Sequence, residues 1–352
     1  MQNKLAAGKI AWRSPSNIAL IKYWGKLPVQ IPANPSLSMT LSRAYTEMTL
    51  EFQPKDEKSG FPLLEFMFEG HKQEKFEKKI ALYIQSLFTE FPFLDDYSYK
   101  ISSSNTFPHS TGIASSASSM SALGLCLAEF LSCFSGISKK KEPFIQEASR
   151  LSRLASGSAC RSVYSGYVIW GHVPQIAGTS DEYAIPVPFK INPIFREMRD
   201  AILVVSSKEK EVSSRAGHSL MEGHPYAGPR YEMAMANMLD LSDALKSGDF
   251  DKFTRITESE ALNLHALMMS SHPSYLLFEP NTLNIVNAIW KFRKATSIPV
   301  CFTLDAGPNV HMLYPATNEI TIRKWIGEEL VKFCENDKWI DDRIGTGPEK
   351  LL

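Results

Sequence analysis

Between residues 8 and 53 apolar positions recur with a period of two, so the chain opens as β structure. Ile18, Leu20, Lys22 and Trp24 alternate with Asn17, Ala19, Ile21 and Tyr23. Both sets are mostly apolar, the pattern of a strand covered on both faces. Asn17 and Lys22 are the misfits, because a polar or charged group in such a place is costly unless something pairs with it. Strand patterning continues at 37–41 and 48–52, and residues 63–68 followed by Gly70 and His71 predict a hairpin. Over 74–91, Phe76, Ile80, Leu82, Tyr83, Ile84 and Leu87 recur at helical spacing, with Lys and Glu forming a solvated face. Residues 97–102 read as a strand, a loop holds Pro108 and Gly112, and a small-residue helix begins near Ser115. A second helix over 143–155 stops at Ser156-Gly157-Ser158, and 162–170 alternates like a strand. Pro186, Pro188 and Pro193 mark a junction. Beyond it, 201–206 and 300–304 read as strands, and 231–245, 250–269, 281–296 and 320–335 as helices. Strands followed by helices in both halves predict an α+β chain of two domains, 1–190 and 191–352, with a cleft between them.

A length of 352 residues agrees with two domains. Lys plus Arg and Asp plus Glu balance at 38 each, so no global field draws the chain to nucleic acid or to an anionic membrane. The longest small-and-apolar run, 117–134, contains four Ser and Glu129, which makes it a buried helix and not a membrane span. Five Cys with no CxxC pair read as reduced thiols of a cytoplasmic protein, and the start of the chain has no apolar signal core.

Five clusters carry candidate chemistry. Pro108 and Gly112 shape a loop ahead of Ser115 and Ser116, which sit where a helix N-cap is expected. Free N–H groups and the positive end of the helix dipole there suit an anion, and the two hydroxyls suit a phosphate or a magnesium ion. No Lys follows the second Gly, so this is not a P-loop; the plainer reading is a capped, tightly packed helix. Ser156 and Ser158 lead into Arg161, whose guanidinium suits a carboxylate or phosphate, or a structural acid. Asp305 stands at the mouth of a strand, placed to act on a ligand in the cleft or to cap its own turn. Lys22 is either a cation for an anionic ligand or for Asp305, or a chain that snorkels to solvent. Ser213, Ser214 and Arg215 form a hydroxyl and cation cluster before a helix, or a capped surface turn. The eight His form no metal-spaced pair, so His109, His218 and His311 read as pocket or core residues.

In this order the segments SPSNIALIKYWGK (14–26), NTFPHSTGIASSAS (105–118), ASGSACRS (155–162), KEVSSRAGH (210–218) and DAGPNV (305–310) closely resemble the diphosphomevalonate decarboxylase family of the GHMP kinase superfamily. RIGTGP at 343–348 resembles that family's C-terminal strand. The resemblance implies ATP- and Mg²⁺-dependent conversion of mevalonate 5-diphosphate to isopentenyl diphosphate, ADP, phosphate and CO₂. It implies a ribosomal S5 domain 2-like N-terminal domain, a ferredoxin-like C-terminal domain and a homodimer. It makes Asp305 the group that orients or deprotonates the 3-hydroxyl, Lys22 its neighbour facing the phosphates, and Arg161 the holder of the substrate carboxylate. Asn17, Tyr23, Ser156, Ser158, Ser213 and Ser214 match substrate-contacting positions. Pro108, Gly112, Ser115 and Ser116 match the ATP-phosphate loop, with Mg²⁺ held through Ser115 or Ser116 and the phosphates. Departures include Leu27-Pro28 in place of a charged pair, Pro35, and His218 in place of Met. They bear on the tail, so mevalonate 5-phosphate is an alternative substrate. A kinase stopping at the 3-phosphate, and a silent ligand-binding relative, are the further alternatives; retention of Asp305, Arg161 and Lys22 together argues against both.

Overall fold

The computed structural model describes residues 4–107, 115–134, 141–208 and 212–352. Among them the strands make two main sheets. In the first, β1 (Gly8–Ile21), β2 (Ser36–Pro54), β3 (Leu63–Phe68) and β4 (Tyr97–Asn105) lie in the order β1-β2-β4-β3. His71–Lys72 closes the expected hairpin on β3. β5 (Tyr167–Trp170) pairs with the start of β2 and with β6 (Ala184–Pro186). Helices α1 (Glu74–Ser86), α2 (Ser115–Ser132) and α3 (Lys141–Ala155) belong to this half, and α2 packs on β1, β2 and α3. The small residues of α2 permit that closeness: a Cβ on Gly124 would lie 2.9 Å from the Ser152 backbone N. Hydroxyl pairs fasten α2 to the sheet, Ser118 to Thr46 at 2.7 Å and Ser121 to Ser14 at 2.5 Å.

The second sheet orders β7 (Met198–Leu203), β8 (Cys301–Thr303), β9 (Val310–Pro315) and β10 (Trp339–Arg343) as β8-β9-β7-β10, all antiparallel. Around it lie α4 (Ala227–Ser247), α5 (Phe250–Met269) and α6 (Pro280–Thr296). Asp249 caps α5 by accepting from Lys252 N, and Pro280 with the Glu279–Thr282 capping box starts α6. No helix among the described residues is long and apolar enough to cross a membrane.

Four expectations shift. The helix from Glu74 ends at Ser86, short of the expected 91, and Pro92, which disfavours helical geometry at Phe91, opens a separate 3₁₀ turn over Pro92–Asp96. The stretch 162–170 is strand only over Tyr167–Trp170, since Gly157–Val163 is a 3₁₀ helix. β9 and most of β10 stand where no strand was expected: β9 is a short run buried throughout, and β10 carries Asp341 and Asp342, which mask its period. After Arg343 the chain makes a bridge from Ile344 to Leu41 and returns to the first sheet, where β11 (Glu349–Lys350) pairs with Trp12 and Arg13 of β1.

The two-sided burial read for 17–24 has a clear cause. Ile18, Leu20, Leu37 and Met39 of the first sheet share one apolar cluster with Met198, Ile202, Met238, Leu241 and Leu313 of the second half. A polar joint lies beside it. The buried Asp342 carboxylate accepts from Ser42 N and Arg43 N at 2.8 Å, Ala44 N at 2.7 Å and its neighbour Arg343 N at 2.7 Å. Replacing Asp342 by Ala strands those amides and is expected to cost about 3 kcal/mol, with Asp342→Asn losing roughly half as much. Urea unfolding, followed as a lower midpoint at constant slope, measures the loss.

Candidate active site

Register shifts in β1 at Pro15/Asn17 and Ala19/Ile21 re-aim the side chains that follow them. Asn17 turns to donate to Ser162 Oγ at 2.7 Å, and its buried Oδ1 has no hydrogen-bond partner among the described residues. Lys22, one residue past β1, is 1% exposed. Its Nζ donates to Asp305 Oδ1 at 2.8 Å and to the Ala19 carbonyl at 2.6 Å. It therefore pairs with Asp305 and does not snorkel. The Lys22 backbone is clamped as tightly: its N–H donates to Glu260 Oε2, and its carbonyl accepts from Asn34 Nδ2 and Arg230 Nη2. Glu260 and Arg230 are themselves a buried pair at 2.7 Å, joining α5 to α4.

Asp305 follows β8 by two residues. Its carbonyl accepts from Gly307 N and from His265 Nε2 at 3.1 Å, while the His265 ring stacks on Phe278 at 4.1 Å. Burial pushes His265 down to about 4, so the ring is neutral and donates. Burial also pushes the Asp305 carboxyl up, but the Lys22 charge and hydrogen bond, with His311 and Arg161 farther off, outweigh it and hold the group below its ordinary value. Burial lowers Lys22 from its usual value, and Asp305 opposes that without cancelling it.

Arg161 sits in the 3₁₀ turn opposite, 3% exposed. Its Nη1 donates to Ser36 Oγ, which donates in turn to the Ile21 carbonyl at 2.6 Å. Its Nε is buried without a partner, and among the described residues no carboxylate pairs with it. The structural-acid reading of Arg161 is thereby excluded for those residues, and a buried guanidinium lacking an acid is an anion site.

A cavity of about 530 Å³ joins these groups. Asn17, Lys22, Tyr23, Ser156, Ser158, Arg161, Ser213, Ser214, Asp305, Ser115 and Ser116 all line it, so the described residues that the family resemblance assigns to the site converge there, whereas His311 pairs with the buried Asp200 instead. Pro108 and Gly112 lie outside the described residues. Tyr23 meets Trp170 edge-on at 4.7 Å, and burial raises its phenol, which stays a donor. Ser213 also caps the short helix Ser214–Ser219 through Ala216 N at 3.2 Å. Among the described residues no group of three or more His, Cys, Asp or Glu is placed to hold a metal. The donors at the start of α2 are hydroxyls, which fit a hard cation that takes most of its ligands from phosphates.

Sequence reasoning missed three parts. An apolar arm of the cavity runs along Met48, Phe66, Phe68 and Phe76, with Lys79 and Ser103. Phe76 was legible only as a helix face. The Arg230–Glu260 clamp and His265 had no local signal, because their partners are far away in sequence.

Known proteins match over both halves. A family model for the diphosphomevalonate decarboxylase-like N-terminal domain matches residues 14–183, and one for the mevalonate 5-diphosphate decarboxylase C-terminal domain matches 201–345. The diphosphomevalonate decarboxylase of Ganoderma lucidum is 30% identical over 94% of this chain and 84% of its own. Mevalonate diphosphate decarboxylase from Staphylococcus aureus superposes with a TM-score of 0.83 at 29% identity, covering 98% of each chain. A complex of MDDEF with MVAPP, AMPPCP and magnesium gives 0.82 at 28% identity, over 98% of this chain and 99% of that one. The α+β fold and these matches along nearly its whole length show that the chain belongs to the diphosphomevalonate decarboxylase family.

Proposed function

We propose that the protein decarboxylates mevalonate 5-diphosphate with ATP and Mg²⁺, releasing isopentenyl diphosphate, ADP, phosphate and CO₂. The observation that carries this reading is an Asp305 paired with Lys22 in the same cavity as a buried Arg161 that forms no ion pair with any carboxylate of the described residues. A tertiary alcohol with a carboxylate and a phosphorylated tail supplies the partner each group needs.

Asp305 accepts the hydrogen of the substrate's 3-hydroxyl, and its lowered basicity keeps it charged at neutral pH. Lys22 holds that carboxylate in place and adds positive charge toward the phosphates. ATP turns the hydroxyl into a leaving group, a step governed by placement more than by nucleophilicity. Departure of that group builds positive charge at C3, and the carboxylate then leaves as CO₂. Arg161 grips the carboxylate in line for that collapse; holding it only moderately avoids stabilising the ground state. Asn17, Ser156 and Ser158 line the substrate, with Tyr23, Ser213 and Ser214 at its phosphorylated end. Ser115 and Ser116 would hold the nucleotide phosphates and their magnesium, and the Met48–Phe66–Phe68–Phe76 arm suits an apolar-faced base. Five free cysteines support a cytoplasmic setting, and family resemblance supports a homodimer.

Offered mevalonate, its 5-phosphate and its 5-diphosphate, the protein is expected to release ADP and CO₂ together only with the diphosphate; ADP without CO₂ would mark a kinase. Asp305→Asn is expected to lower kcat by about a thousandfold with little change in KM. Arg161→Gln should cost about a hundredfold or more in kcat, read as parallel loss of ADP and CO₂ if placement precedes phosphorylation. Because the Lys22 charge lowers Asp305, kcat in the native protein should fall only as pH drops below the ordinary carboxylate range. Lys22→Met removes that charge, so its acid limb should move toward neutral pH.

A further inference from the structure

His218 closes the 210–218 segment but has no role in the chemistry above, yet it is held from three sides. Its Nδ1 accepts from Gly25 N at 3.1 Å. Its ring lies 4.3 Å from that of Tyr23 and 4.7 Å from that of Trp24. The helix turn bearing it approaches Trp24 so closely that a Cβ on Gly217 would come within 2.5 Å of the indole. Residues 23–25 directly follow Lys22. His218 also lines the cavity, as do Ser213 and Ser214 on the same turn.

From this we infer that His218, in its neutral form, is the positioning residue that fastens the Ser213–Ser214 turn to the Tyr23–Gly25 segment and so sets affinity for the phosphorylated tail. The inference rests on the proposed phosphorylated substrate. An Nδ1 that accepts a hydrogen bond must carry a lone pair, which puts the ring proton on Nε2. Protonation sets N–H against the Gly25 N–H and breaks the fastening. Among the described residues the charged groups lining this cavity are Lys22, Lys26, Lys79, Arg161 and Asp305, the last paired with Lys22. The other titratable groups packed nearby are Tyr23, Tyr231 at Gly25, Tyr275 at Gly217, and the neutral His265 behind Asp305.

The test measures KM and kcat for mevalonate 5-diphosphate between about pH 8 and 5.5, the span over which histidine titrates. In the native protein KM should rise about tenfold toward acid while kcat holds within about twofold, one hydrogen-bonded contact being worth a factor of that order. His218→Asn supplies an acceptor oxygen that does not titrate. It should restore the neutral-pH KM to within about threefold and leave only the shallower dependence of the substrate's own phosphate. His218→Leu should raise KM about tenfold at every pH. An acid rise in His218→Asn equal to the native one, or an unchanged KM in His218→Leu, would overturn the inference. ¹⁵N NMR of histidine-labelled protein without substrate reads the tautomer independently. An Nε2–H ring at neutral pH supports the fastening even if the substrate differs, and an Nδ1–H ring defeats it even if the decarboxylase reading stands.

Discussion

A lysine ammonium held at 1% exposure is the constraint around which this molecule is arranged. Removing such a charge from water costs several kcal/mol, and an ion pair in the interior repays it only with good geometry and further hydrogen bonds. Lys22 has both: the Asp305 carboxylate, the Ala19 carbonyl, and a backbone fixed by Asn34, Arg230 and Glu260. Its partners come from the end of β1, from α4 and α5, and from the turn after β8. The ion pair therefore exists only when the two halves of the chain are docked. Folding of the interface and assembly of the chemistry are the same event.

That docking has an apolar and a polar part. The shared cluster around Ile18, Leu37, Met198 and Leu241 supplies non-directional burial. The Asp342 carboxylate, held by amides of residues 42–44, supplies direction, fixing the angle at which β10 meets the bend in β2. The shared cluster explains why a strand near the start of the chain reads as buried on both faces while the sheet to which it belongs has helices of its own on one side only.

How much of this was readable depended on the range of the interaction. Asn17 and Lys22 stood out because each broke an apolar run, and α5 was bounded correctly because Asp249 and the period of Phe253, Ile256 and Leu264 are local signals. The order of short segments gave the family and, through it, the pairing of Lys22 with Asp305. What stayed hidden was set by tertiary context. His265 looks like any helix residue until Phe278 and the Asp305 carbonyl are beside it. Phe66 and Phe76 look like core until they are seen to line the cavity. β10 alternates poorly because Asp342 is spent on backbone amides of another sheet.

Arg161 is tied to Ser36, Ser36 to the Ile21 carbonyl, and Ile21 is joined by one peptide bond to Lys22. The two positive groups assigned to the substrate in the proposed function are thus spaced by main chain and one hydroxyl. On that proposal the frame would act as a gauge of length, set before anything binds: a molecule one carbon longer or shorter between its acid and its phosphorylated end would satisfy one cation only by abandoning the other.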